Sequence, residues 1–206
     1  ISFKGVRLGV MICEDMWAPD VTECLDESGA EILVVINGSP FEIDKRDQRL
    51  NLAVARVTES SLPLIYVNLV GGQDELVFDG SSFVLNSDRQ LQIQMPAFVQ
   101  GQIISTWKKY DNNWVCMKGA IEPSFETSKQ ILALIYQAMV LGLRDYVNKN
   151  HFPGVVLGLS GGIDSGLSAA VAVDAIGADR VHCVMMPSPY TSQESLDDAA
   201  EQAAIL

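Results

Sequence analysis

The spacing of apolar and polar residues changes several times along the chain, and each change marks an element. Residues 7–12 are strand-like and end at Cys13. Residues 21–29 suit a short helix closed by Gly29. Residues 31–36 form a nearly continuous apolar run, which predicts a strand buried on both faces. Asn37-Gly38-Ser39-Pro40 is then a loop, and residues 44–60 carry Leu50, Val54 and Val57 at helical spacing with charges on the other side. Residues 63–68 are another strand, and Gly71-Gly72-Gln73 opens a loop. Residues 81–85 and 91–95 predict a hairpin around Asn86-Ser87-Asp88. Helices alternating with mixed strands in this way define a layered α/β domain.

Residues 106–126 break the pattern. They mix Trp107, Trp114, charges, Gly119 and Pro123, and they predict a linker. Residues 127–149 follow as one long helix, with Leu132, Ile135 and Met139 on one stripe and Arg144, Asp145 and Lys149 near its end. Pro153-Gly154 stops it before the apolar run Val155-Val156-Leu157. A glycine loop, a helix to about Ile176 closed by Gly177, and a strand from Val181 to Met186 come next, before Pro187-Ser188-Pro189. This β-loop-α-β order begins a parallel nucleotide-binding sheet. The expected organisation is a domain over 1–105, a linker over 106–126 and a second domain over 127–206. No repeat or low-complexity tract occurs.

Composition narrows the classes. At 48% hydrophobic residues, the 206-residue chain can bury a substantial core, yet no apolar run reaches the length of a membrane span. No signal-peptide pattern is visible at the start. A net charge of −12 argues against non-specific nucleic-acid binding. The same charge means that an anionic nucleotide needs a local pocket of donors together with Mg²⁺. Cys13, Cys24, Cys116 and Cys183 have no CxxC spacing, and only two histidines are present, which argues against zinc. A reducing, cytoplasmic compartment is expected. The chain opens on Ile1 and closes on a helical pattern over 197–206, so an internal piece of a longer protein is expected.

The glycine loop is Gly158-Leu159-Ser160-Gly161-Gly162-Ile163-Asp164-Ser165. Glycines let backbone N–H groups approach a ligand, and a helix N-terminus adds free donors and a positive dipole end. Ser160 and Ser165 supply hydroxyls, and Asp164 supplies a carboxylate for a Mg²⁺ that bridges phosphates. No Gly-Lys-Ser/Thr follows, so the loop is not of Walker type. The plain alternative is a βα turn with Asp164 or Ser165 as a cap. The stretch resembles the SGGxDS loop of the ATP pyrophosphatases, which cleave ATP to AMP and pyrophosphate.

Cys13 ends a strand directly before Glu14-Asp15-Met16-Trp17. On local sequence alone a buried, inert cysteine is the better reading. The segment Gly-Val-Met-Ile-Cys-Glu-Asp-Met-Trp, however, resembles the nucleophile segment of the glutamine-hydrolysing branch of the nitrilase superfamily. Asn37-Gly38-Ser39-Pro40 resembles its next loop, and Tyr66-Val67-Asn68 with the stretch from Gly71 to Gly80 resembles the one after. The resemblance implies that Cys13 is the nucleophile of a Glu–Lys–Cys triad whose Glu and Lys belong upstream; Lys4 is too close to serve. It also implies that Glu14, Ser39 and Lys45 help bind glutamine. Beside this, Ser39 before a proline is an ordinary turn residue, Lys45 in a charged helix start is ordinarily solvated, and Trp17 caps the pocket or fills core. Asp74, Glu75 and Asp79 read equally as a solvated loop or as part of a domain interface.

Taken together, the two halves resemble the family of glutamine-dependent NAD synthetases from about residue 5 onward. Leu141-Gly142-Leu143-Arg144-Asp145-Tyr146, the segment from Ala172 to Gly177 and Met186-Pro187-Ser188-Pro189-Tyr190-Thr191-Ser192 carry further similarity. Gly38 stands where the family often has Ala, and Pro189 stiffens a loop. The implied fold is the C-terminal part of a nitrilase-like α/β/β/α sandwich, then the start of a Rossmann-like parallel-sheet ATP-pyrophosphatase domain. The implied activity is ATP-dependent amidation of deamido-NAD to NAD with ammonia from glutamine, through an adenylylated intermediate. ATP and Mg²⁺ are the expected nucleotide and metal, with Mg²⁺ at Asp164. Met186 either borders the adenine pocket or is a core methionine. The family also implies a homo-oligomer and an ammonia tunnel; neither nucleic acid nor membrane is expected as a partner. Two rivals remain. One is another amidotransferase with the same ATP loop, such as GMP or asparagine synthetase, whose glutaminase domains are unrelated to the Cys13 segment. The other is a catalytically incomplete nucleotide-binding fragment, and the 206 residues alone are expected to release no ammonia from glutamine.

Overall fold

The structure is a computed structural model that describes residues 1–117 and 131–206. The chain forms two compact units. The first comprises Ile1–Gly71 and the described part of Phe78–Ile131; the second comprises Gly72–Val77 and Leu132–Leu206. Of the expected linker, residues 118–126 lie outside the described residues, as do residues 127–130 of the expected long helix.

The first unit is built on a six-stranded sheet. Its strands are β1 (Ser2–Phe3), β2 (Val6–Ile12), β3 (Ile32–Asn37), β4 (Leu64–Asn68), β7 (Phe83–Leu85) and β8 (Leu91–Gln94), lying side by side in that order. β2, β3 and β4 are parallel, and antiparallel pairs flank them. Two helices, α1 (Pro19–Glu27) and α2 (Lys45–Ser60), connect the parallel strands. Registered positions place Gly9, Leu33, Leu64 and Leu85 in one row and Met11, Val35, Tyr66 and Phe83 in the next. Together with Met16, Ala53 and Val57 these side chains form the core against the helices. Gly9 lets the next layer approach: a Cβ there would stand 3.0 Å from the Cβ of Ala30 and 3.2 Å from that of Leu25.

The alternate positions behave differently from expectation. Ile12, Ile36 and Val67 form a registered row on the opposite face and are 65%, 51% and 44% exposed. On this face β3 is covered only at its start, where Ile32 is buried and Val34 half-buried, and is open at Ile36. An apolar run reports that both faces tolerate hydrophobic residues, and the packed layers decide which face is covered. In an α/β/β/α sandwich this second face is the one that meets the other sheet.

Residues 107–116, expected within a linker, form an ordered hairpin of β9 (Trp107–Tyr110) and β10 (Asn113–Cys116). Asp111 and Asn112 join the strands with φ of +44° and +72°, the left-handed conformation that two-residue hairpin loops require and that Asn and Asp tolerate. The hairpin is fastened to the first unit. Asn86 Nδ2 donates to the Cys116 carbonyl at 3.1 Å, and the Cys116 N–H donates to Asn86 Oδ1 at 2.8 Å. Glu31 accepts from Lys109 Nζ, from the Trp114 indole N–H at 3.3 Å and from the Arg7 N–H at 2.9 Å.

These donors, Lys109 foremost, hold the Glu31 carboxyl at about 2, below its ordinary 4.5. A depressed carboxylate contributes stability that is complete above its unfolded pKa and is lost as pH falls towards the folded value. The hairpin should thus loosen as pH falls from about 4.5 to about 2. Trp114 fluorescence is the reporter: the acid transition should be present in the native chain and absent in Glu31→Gln.

In the second unit, α3 (Ile131–Lys149) precedes β11 (Val155–Gly158), α4 (Ile163–Ile176), β12 (Val181–Val184) and α5 (Gln193–Ile205). β11 and β12 pair in parallel, with Val155 opposite Val181 and Gly158 opposite Val184. Leu159, Ala169 and Ala199 form a buried cluster between the sheet and its helices. Residues 72–77 belong to this unit; the Gly72 N–H donates to Asp145 Oδ2 at 2.8 Å, and Lys149 Nζ donates to the Gly72 carbonyl. Among the described residues no helix is long and apolar enough to cross a membrane.

Candidate active sites

Cys13 stands where β2 gives way to a single 3-10 turn, Cys13–Met16. Its φ of +53° lies in the left-handed region, which costs a residue with a Cβ about 1–2 kcal/mol. The surrounding bonds hold it there. Asp15 Oδ2 accepts the Ile12 N–H at 2.8 Å, and the Trp17 N–H closes the turn on the Glu14 carbonyl at 2.8 Å. The turn thus sets Cys13, at the end of its strand, beside a cavity.

The cavity measures about 680 Å³, ample room for a small ligand such as an amino acid. Cys13, Glu14, Ser39 and Lys45 all line it, so the four residues expected for glutamine chemistry come together in one place. Lys45 differs from the solvated side chain its charged surroundings suggested. Its side chain is only 16% exposed; Nζ lies 3.3 Å from Glu42 Oε1 and 5.5 Å from the centre of the Trp17 ring. Trp17 is half-exposed on the wall, a pocket residue rather than core.

Three further residues shape the cavity and escaped the sequence reading. Tyr66 is fully buried, lines the cavity and stacks on Phe83 with ring centres 4.7 Å apart. Burial pushes its phenol above the ordinary range, outweighing the opposing pull of Arg49 and of a hydrogen bond with Ser39, so it stays neutral. Asn68 grips the Ser39 backbone from β4: the Ser39 N–H donates to Oδ1 at 2.9 Å, and Nδ2 donates to the Ser39 carbonyl at 3.1 Å. Arg49, on the core face of α2, is buried against Asp79 at the end of β6 (Leu76–Asp79). Asp79 is therefore not a solvated loop residue, whereas Asp74 and Glu75 are exposed. The stripe expected on α2 also shifts: Arg49, Ala53, Arg56 and Val57 are the buried positions, and Leu50 and Val54 pack at the margin.

The second site is the loop between β11 and α4. Gly161 adopts φ +84°, and a Cβ there would stand 2.4 Å from the Ser195 carbonyl oxygen, so only glycine lets α5 lie this close. Gln202 Nε2 donates to the Gly161 carbonyl at 3.1 Å. Ser165 Oγ, 3.1 Å from Ser160 Oγ, accepts the Ser160 N–H at the same distance. Gly162 caps α4, and Ile163 and Asp164 are exposed in its first turn. Gly158, Leu159, Ser160 and Met186 line a cleft of about 210 Å³, with Thr191 and Ser195 across from them. The Leu159 side chain is buried in the core, so it offers the site only its backbone. Met186 is 77% exposed and is not a core methionine; its methyl group lies over Gly158. β12 ends at Val184, which leaves Met186 in the loop.

Among the described residues no group of three or more His, Cys, Asp or Glu forms a metal cluster. One exposed carboxylate at a helix start behind a glycine loop nevertheless fits Mg²⁺, which characteristically takes one or two carboxylates and completes its shell with phosphate oxygens and water. Asp164 meets that description.

Residues 1–108, which hold the layered sheet and strand-end Cys13, match the carbon-nitrogen hydrolase family. The chain belongs to that family. Residues 135–206 match the NAD synthase family. Across 205 residues, 96% of the chain, it is 50% identical to the glutamine-dependent NAD(+) synthetase of Rhodobacter capsulatus, covering 35% of that protein. It is 43% identical to the corresponding synthetase of Acinetobacter baylyi over 98% of the chain and 36% of the relative. The chain thus spans about a third of the length of these curated relatives. The solved glutamine-dependent NAD+ synthetase of Acinetobacter baumannii, in complex with ADP, superposes over the whole chain with a TM-score of 0.88 and 43% identity, covering 38% of that chain.

Proposed function

We infer that the protein containing this chain is a glutamine-hydrolysing NAD synthetase. The observation that carries the reading is the presence in one chain of a strand-end cysteine facing a cavity that admits glutamine and an SGGIDS loop at a helix start. The similarity of both halves, in order, to glutamine-dependent NAD synthetases supports it.

The Cys13 thiolate attacks the amide carbon of glutamine, ammonia leaves, and water hydrolyses the thioester. Lys45 would meet the α-carboxylate and Glu14 the α-ammonium, and Ser39 would supply further polar contacts from the same lining.

In the second unit, donors at the start of α4 and the Ser160 and Ser165 hydroxyls hold the phosphates of ATP. The nicotinate carboxylate of deamido-NAD displaces pyrophosphate to form an acyl adenylate, because a free carboxylate is a poor acylating agent. Ammonia then displaces AMP and leaves the amide. Asp164 would hold Mg²⁺, which neutralises phosphate charge when bound. Met186 and Gly158 border the space beside the loop where adenine would lie. The mechanism fixes the products. With deamido-NAD, ATP, Mg²⁺ and ammonium, the full-length protein should release AMP and pyrophosphate in step with NAD; release of ADP and phosphate instead would overturn the adenylate route.

A further inference from the structure

We propose that Arg49 and Asp79 are a positioning pair that fixes Ser39 in the wall of the Cys13 cavity and thereby sets affinity for glutamine; this rests on the glutaminase reading above. Every N–H of the Arg49 guanidinium has an acceptor. Nε donates to Ser39 Oγ at 3.0 Å, and Nη2 donates to the carbonyls of Ser39 at 2.9 Å and Pro40 at 2.7 Å. Nη1 donates to both carboxylate oxygens of Asp79, at 2.8 and 3.0 Å. Arg49 borders the cavity, yet it has no donor left for a ligand. It acts on the ligand through Ser39.

Burial sharpens the point. Arg49 and Asp79 are 4% and 3% exposed. A buried ion pair gains little stability over a well-packed apolar pair, because desolvation offsets most of the attraction. What this pair provides is geometry. It ties the loop after β3 to α2 on one side and to the end of β6 on the other. Together with Asn68, it fixes the N–H and carbonyl of Ser39 and occupies one acceptor position of its hydroxyl, which aims the rest of that hydroxyl's bonding capacity. Ser39 is thereby held at a set distance from Cys13 before any ligand enters, and such preorganisation raises affinity by removing the cost of ordering the wall on binding.

Lysine cannot substitute for the fork. Its single ammonium keeps the charge for Asp79 but cannot span Asp79, the Ser39 hydroxyl and two carbonyls at once. In the full-length protein, Arg49→Lys should raise the KM for glutamine on the order of tenfold in glutamate release. The ammonium-driven rate of NAD formation should stay within about twofold of the native value, since ammonium does not use the cavity. Asp79→Asn, which leaves the fork in place and weakens its anchor, should raise the same KM by a smaller factor and serves as the second variant if Arg49→Lys does not fold. Thermal melting of each variant confirms folding. An unchanged glutamine KM in a folded variant would overturn the proposal, as would a parallel fall of the glutamine- and ammonium-driven rates, which marks a general structural role. Native protein that releases glutamate but makes no NAD would sink the synthetase reading alone and leave the glutamine KM to judge this pair. Native protein that releases no glutamate would sink both.

Discussion

Cys13→Ala in the full-length protein should abolish glutamine-driven NAD formation, lowering it by at least about a thousandfold, and leave the ammonium-driven reaction near native. The asymmetry follows from the separation of tasks. In the proposed reaction Cys13 Sγ bonds to the amide carbon as ammonia leaves, and among the described residues no other cysteine lines the cavity. Ammonium supplied from solution bypasses that step. Loss of both reactions in a folded variant would place Cys13 in the architecture rather than in the chemistry.

Gly161→Ala should have the complementary effect, lowering both reactions on the order of a hundredfold, the scale expected when reacting groups are displaced by about an ångström. The added Cβ would meet the Ser195 carbonyl at 2.4 Å, and φ of +84° is unfavourable for alanine in any surroundings. Neither obstacle is the mobile end of a side chain, so the loop or α5 must shift, and with it the Ser160–Ser165 pairing and the start of α4. Glutamate release should persist, because Gly161 lies in the second unit. Native rates from ammonium in this variant would show that the loop does not hold the phosphates.

The candidate site segments were legible as strand ends and turns from local pattern, but it was family resemblance that marked Cys13, since its local sequence alone favours an inert cysteine. Strand-end Cys13, the Asn37–Pro40 loop and the SGGIDS turn each depend on residues adjacent in sequence, and glycine or proline punctuation marks their limits. What escaped depends on pairing across distance. Arg49 and Asp79 are 30 residues apart, and nothing local says that either is buried; the available signal was an arginine four residues before Ala53 on the helix face that also carries Val57. Lys45 read as solvated because its neighbours are charged, yet Glu42 and Trp17 cover it. The hairpin at residues 107–116 was hidden by its mixed composition, although Asp111-Asn112 is a sound two-residue turn and strands of four residues give alternation little room to show. The exposure of Ile12, Ile36 and Val67 could not be read either, because an apolar side chain looks the same in sequence whether or not a layer covers it.

The most direct measurement follows nitrogen through the full-length protein. Glutamine carrying ¹⁵N in its side-chain amide is supplied with deamido-NAD, ATP and Mg²⁺, and the NAD formed is examined by mass. The account predicts label in the carboxamide of NAD, one AMP and one pyrophosphate for each NAD, and no label transfer in Cys13→Ala. Absence of NAD, or NAD whose amide nitrogen does not come from glutamine, would contradict it.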